Sequence, residues 1–247
     1  MDVLRQHEIA EANLRILNPF TGDKLMLLGE VCRLREGQRQ LDLACGKGEM
    51  LCRWADRFGT GGLGVDISDV FLAAARARAE ELGVTGRVRF EHGDAARAVP
   101  DTADFDVVSC IGATWIGDGV EGTIELMRPA LRPGGLILIG EPYWIEPPPE
   151  GAHQVLALGQ ETFTSLVGTV ERFEKAGLSL VEMVLADHDS WDRYRASQWW
   201  TTTEWLAANP DDPGAPAMRR RLVDERHAYL AVGRRVLGWG VFVLRPA

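Results

Sequence analysis

Two glycines in the segment LDLACGKGEM, Gly46 and Gly48, flank one lysine where a run of apolar residues gives way to a helix-like stretch. Small residues at such a bend let the backbone approach a ligand closely, and a helix start offers N–H groups that have no partner within the helix. Twenty positions after Gly46, the run GVDIS places Asp66 at the end of a second apolar segment, with Ile67 beside it. A carboxylate at that distance from a glycine turn is suited to accept hydrogen bonds from ribose hydroxyls. A third segment ends in EHGDAA, so Asp94 and Ala95 stand where a carboxylate can accept from an exocyclic amine. Each feature has a plain alternative, a tight turn for the glycines and a helix cap for either acid. Three successive segment ends carrying glycine, acid and acid point together to a nucleoside.

The elements that must position these residues are readable from the pattern. Apolar runs at 41–45, 62–67, 87–93, 105–112 and 135–141 alternate with helical stretches. The clearest helix is VFLAAARARAEELG, preceded by Ser68 and Asp69 and closed by Gly83. Strands alternating with helices imply a parallel, doubly wound α/β sheet, whose ligands bind beyond the carboxyl ends of the strands. The pattern predicts N-terminal helices at 4–17 and 23–34, separated by Asn18-Pro19. It also predicts a helix from about 163 to 176, a strand at 178–186 and a last strand at 238–244. EPYWIEPPPEG, following Gly140, reads as a long loop, and the stretch 187–236 reads as a helical insert.

LDLACGKGEM, GVDIS, EHGDAA and LRPGGLILIGE resemble, in order and spacing, the motifs of the class I S-adenosylmethionine-dependent methyltransferases. The resemblance covers about residues 40–140. It implies a Rossmann-like, mostly parallel seven-stranded sheet with an antiparallel last strand, and S-adenosyl-L-methionine as cofactor, converted to S-adenosyl-L-homocysteine. It assigns the methionine part to Asp42, Ala44, Gly46 and Gly48, the ribose to Asp66 with Ile67, the adenine to Asp94 and Ala95, and the fourth strand tip to Cys110. Ala44 departs from the glycine usual at its position. The reaction implied is in-line transfer of a methyl group to a small-molecule acceptor.

Around that acceptor we expect Trp115 from the fourth strand tip and Glu141, Tyr143 and Trp144 after the fifth strand. His188, Trp191 and Tyr194 are expected from the insert, which together with the N-terminal helices around Asn18 and Phe20 would form a lid. The division is then a helical cap over 1–36, a core over 37–186 and 237–247, and the insert 187–236, all in one domain. If a general base is used, Glu141 and His188 are the candidates. No histidine or acidic cluster has metal-ligand spacing.

The chain carries 36 acidic and 27 basic residues, a formal charge of -9, which disfavours nucleic acid as a partner. The Asn/Asp-Pro-Pro-Tyr/Phe signature of adenine and glutamine methylation is absent from the fourth segment. The first fifteen residues are too charged for a signal peptide, no apolar run matches a membrane span, and the four cysteines lack disulfide or zinc spacing, so a cytoplasmic protein is expected. Two other classes remain: a non-catalytic binder of S-adenosylmethionine, and an NAD(P)-dependent oxidoreductase. The latter fingerprint wants a third glycine where this chain has Leu51.

Overall fold

The computed structural model describes residues 1–156 and 163–247. Its centre is a seven-stranded sheet built from β1 (Arg39–Leu43), β2 (Gly61–Asp66), β3 (Val88–His92), β4 (Phe105–Ile111), β5 (Leu131–Trp144), β6 (Leu178–Leu185) and β7 (Leu237–Pro246). The spatial order is β3-β2-β1-β4-β5-β7-β6; the first five strands run parallel and β7 lies antiparallel between β5 and β6. Chain order reverses between β1 and β4, opening a crevice above their carboxyl ends.

Helices α3 (Glu49–Phe58), α4 (Asp69–Glu81), α5 (Val120–Met127) and α7 (Leu166–Lys175) cover the sheet. α4 starts as its sequence demands: Ser68 Oγ accepts the N–H of Phe71 at 3.1 Å, and Gly83 follows the last turn in the left-handed region at φ +66°. Ser165 caps α7 in the same way, accepting from Gly168, so that helix begins at 166 rather than near 163. A one-turn helix, α6 (Ala152–Val155), follows β5.

The N-terminal helices are α1 (Val3–Ala10) and α2 (Gly22–Val31), both shorter than the sequence pattern suggests. Residues 11–18 leave the helix and cross the carboxyl edge of the sheet as an irregular strap. The insert consists of α8 (His188–Ala208) and α9 (Ala215–Ala228), the latter running through a π-helical turn, Tyr229–Gly233, into the short α10 (Arg234–Val236).

The largest departure from the sequence reading lies after Gly140. Glu141, Pro142, Tyr143 and Trp144 continue β5 instead of starting a loop, because β7 pairs with them from Glu141↔Gly240 to Trp144↔Leu237. β4 ends opposite Gly140, so at Pro142 β5 has a strand neighbour on one side only, which is where a strand tolerates proline. Strand geometry then sends Glu141 and Tyr143 to one face of the sheet and Trp144 to the other.

Candidate active site

Above the reversal point lies a cavity of about 650 Å³, bounded by the tips of β1, β2, β3 and β4, the strap, α1 and α2. That volume is ordinary for a site that holds a small ligand.

The turn after β1 is shaped by a neighbouring strand. Asp66 Oδ2 accepts the N–H of Gly46 and Oδ1 that of Ser68, each at 2.8 Å. Burial raises the pKa of Asp66, while these backbone N–H groups oppose the rise by favouring its charged form. Each oxygen keeps a further lone pair, and the residue lines the cavity. Gly46 has φ +55°, and a side chain there would meet Leu17 Cδ1 at 2.8 Å. Ala44 takes φ 56° despite its Cβ. Asp42, at the floor, accepts a 2.7 Å hydrogen bond from Ser109 Oγ. Burial pushes its pKa up to about 7; the serine opposes the shift and the Asp66 charge adds to it. At the mouth, Asp94 is exposed, its Oδ1 accepting from the N–H of Ala96 at 3.0 Å, and Ala95 is buried against the wall. Ile67 and Trp115, both exposed, complete this side.

Gly48 and Cys110 are placed elsewhere. Gly48 is the left-handed start of α3, and a Cβ on it would strike the Phe90 ring at 2.5 Å, so its small size serves packing. Cys110 is fully buried in the core, where burial pushes its thiol pKa up; the cavity-facing residues of this tip are Ile111, Gly112 and Ala113.

The expected acceptor residues mostly turn away. Glu141 accepts from Thr114 Oγ1 at 2.8 Å within the protein, with its pKa pushed up to about 7 by burial, and it does not border the cavity. Tyr143 packs in the core against Gly238. Trp144 donates from Nε1 to the carbonyl of Phe163 at 3.0 Å. His188 is exposed at the start of α8, and Trp191 is buried, stacked on Tyr229 at 6.2 Å. Antiparallel pairing moved the first three, helix packing moved Trp191, and His188 stays at the exposed start of α8. From the insert, among the described residues, Tyr194 alone reaches the cavity.

The N-terminal segment supplies what the sequence reading missed. Leu4, His7 and Glu11, spaced by three and four residues, face the cavity with Arg15 beyond them. Glu11 is buried, and its Oε1 accepts from Tyr194 Oη at 2.6 Å and Gln198 Nε2 at 2.9 Å. Burial raises its pKa against those two donors. Lys47, between the two glycines, ties the strap down: Nζ donates to the carbonyls of Glu11, Ala12 and Leu14 at 2.8, 2.8 and 2.7 Å. That bonding explains why α1 stops early, since the lysine takes up carbonyls that no longer have helical partners. Asn18 Nδ2 donates to the carbonyl of Ile111 at 3.2 Å, joining the strap to β4. A lysine between glycines carries no sequence signal for such a role.

A crevice at a sheet's reversal point, with a flexible turn and two acids on consecutive strand tips, defines a Rossmann-like nucleoside-binding protein. A family model described as a methyltransferase domain matches residues 41–135. The chain is 50% identical to a SAM-dependent methyltransferase from Geobacter sulfurreducens solved in complex with S-adenosyl-L-homocysteine, covering 100% of this chain and 99% of that one with a TM-score of 0.95. A second such enzyme, from Thiobacillus denitrificans and solved with the same compound, is 47% identical with full coverage of both chains and a TM-score of 0.94. The Escherichia coli (strain K12) protein YjhP is 47% identical over 246 residues, 99% of each chain. The chain belongs to the class I S-adenosylmethionine-dependent methyltransferases.

Proposed function

We propose that this protein transfers a methyl group from S-adenosylmethionine to a small-molecule acceptor held in the cavity. The observation that carries the reading is the convergence of Gly46, Asp66 and Asp94 on one space. The residues present suit the cofactor. Gly46 leaves the turn open beside the methionine tail, Asp66 keeps lone pairs for the ribose, and Asp94 with buried Ala95 borders the place of the adenine. The two relatives solved with S-adenosyl-L-homocysteine support the same donor. When bound, S-adenosylmethionine supplies a sulfonium methyl, whose carbon–sulfur bond breaks as the acceptor's lone pair takes the carbon, leaving S-adenosyl-L-homocysteine.

The chain's contribution is alignment and exclusion of water, which by itself accounts for up to roughly 7–11 kcal/mol of barrier lowering in favourable cases. The strap and α1 wall the cavity, with Tyr194 and Gln198 fixing Glu11 from the insert side. In this reading 1–36 and 187–236 form a cap over one domain's core. The four free cysteines favour a reducing compartment such as the cytoplasm, and among the described residues no helix is long and apolar enough to cross a membrane.

Calorimetry with S-adenosyl-L-homocysteine, followed by assay of its release from S-adenosylmethionine with candidate acceptors, tests the proposal. Saturable binding and acceptor-dependent release are expected. No heat with donor or product rejects the donor site, and binding without release for any acceptor leaves a non-catalytic binder.

A further inference from the structure

One wall of the cavity is unlike the rest. Phe20, Leu25, Leu28, Met50, Trp239 and Val241 all line it and all belong to one buried hydrophobic cluster. Leu28 and Val241 have no exposure and Trp239 has 2%. Phe20 and Trp239 meet edge to face at 5.3 Å. The cavity's titratable side chains come from α1, the strap, the strand tips with the turn after β1, Glu49 of α3 and Tyr194 of α8. Glu49 is held in a paired hydrogen bond by Arg78 at 2.8 and 3.0 Å. α2 and β7 contribute no charged group to the lining.

We propose that this wall is the acceptor's subsite and that the acceptor presents to it an uncharged, apolar group the size of an aromatic ring. The inference rests on the donor reading above, which places the nucleoside at Asp66 and Asp94 and leaves the α2–β7 side for the second substrate. A charged group pressed against these six side chains would lose its hydration with no partner in return. An uncharged ring instead exchanges water for close contacts with these side chains, among them the cavity-facing rings of Phe20 and Trp239.

The test uses the whole protein saturated with S-adenosyl-L-homocysteine and three probes of similar size: phenol, benzoate and benzylammonium. Saturation-transfer NMR at pH 7 reads their binding. Phenol is expected to bind at least tenfold more tightly than either ion. Val241→Phe and, separately, Leu25→Phe fill the wall, and each should weaken phenol at least tenfold while the dissociation constant of S-adenosyl-L-homocysteine stays within threefold. Should one variant misfold, the other is read; should both, the ranking of the three probes on the parent protein decides. Silent phenol, an ion binding as well as phenol, or phenol binding unchanged in a folded filled variant overturns the proposal. Failure of S-adenosyl-L-homocysteine itself to bind overturns the donor reading and this one with it.

Discussion

On the β1–β3 side of the sheet, each strand runs up to the cavity and stops, and residues at or just past its end line the cavity: Ala44 to Lys47, Asp66 with Ile67, Asp94 with Ala95. On the β5–β7 side, the strands run past the cavity and continue pairing, so Glu141, Tyr143 and Trp144 are spent on the sheet and core. The wall on that side is completed by a segment remote in sequence, the strap, and by α2. Parallel strands followed by crossovers present their tips by construction, whereas an antiparallel partner prolongs a strand and buries what would otherwise be tip residues. The ends of parallel strands are therefore where side-chain chemistry can be read from local sequence.

Substitutions on the two sides should differ in kind. Asp66→Ala removes the proposed ribose acceptor and the clamp on Gly46 together. Loss of charged hydrogen bonds of this type costs about 1.5–3 kcal/mol, so calorimetry should show S-adenosyl-L-homocysteine binding weakened by about 100-fold. Lys47→Met frees three carbonyls from a half-buried ammonium. Stability should fall by about 2 kcal/mol in denaturant titration, with faster amide exchange confined first to α1 and the strap. A variant whose strap exchanges as slowly as the parent would remove the tether from the account.

Glu141→Gln tests the other side and should change donor binding by less than threefold. Its effect belongs to stability and pH. Folding lifts the pKa of Glu141 from 4.5 to about 7, and that of Asp42 from 3.8 to about 7. Both carboxyls hold their protons more tightly in the folded state. Their favourable contribution is complete below about pH 4 and is lost as pH rises towards 7. For Glu141 the span corresponds to roughly 3 kcal/mol. Melting temperatures measured from pH 4 to 8 should decline less steeply in Glu141→Gln. An unchanged slope would show that this carboxyl does not titrate in that range.

The sequence disclosed the sheet, the caps of α4, and the placing of Asp42, Ala44, Gly46, Asp66, Ile67, Asp94 and Ala95 at strand ends that border one cavity, because each depends on residues within a few positions of itself. It failed where the deciding partner is far along the chain. The Pro142 and Pro147–Pro149 region looks like loop until β7, a hundred residues later, pairs with its first part. Trp191 looks like a pocket aromatic until Tyr229 supplies its stacking partner. Glu11 looks like an ordinary helix-surface acid until Tyr194 and Gln198 cover it. Cys110 and Gly48 stay off the cavity for a different reason: the strand's alternation turns Cys110 inward one residue before the cavity-facing Ile111, and the helix start turns Gly48 onto Phe90 between Lys47 and Glu49, which both line the cavity.

The hydrogen bond from the Gly46 N–H to Asp66 joins the proposed cradle of the amino-acid tail to the acid proposed to receive the sugar. Ala44, strained in the left-handed region, means that the bend is enforced from outside and does not arise from its own preference. Fragments of the nucleoside substrate should then cooperate: adenosine, by firming Asp66, stiffens the bend before any methionine arrives. A molecule carrying both pieces gains more than the sum of the two, so the protein senses whether its ligand is whole.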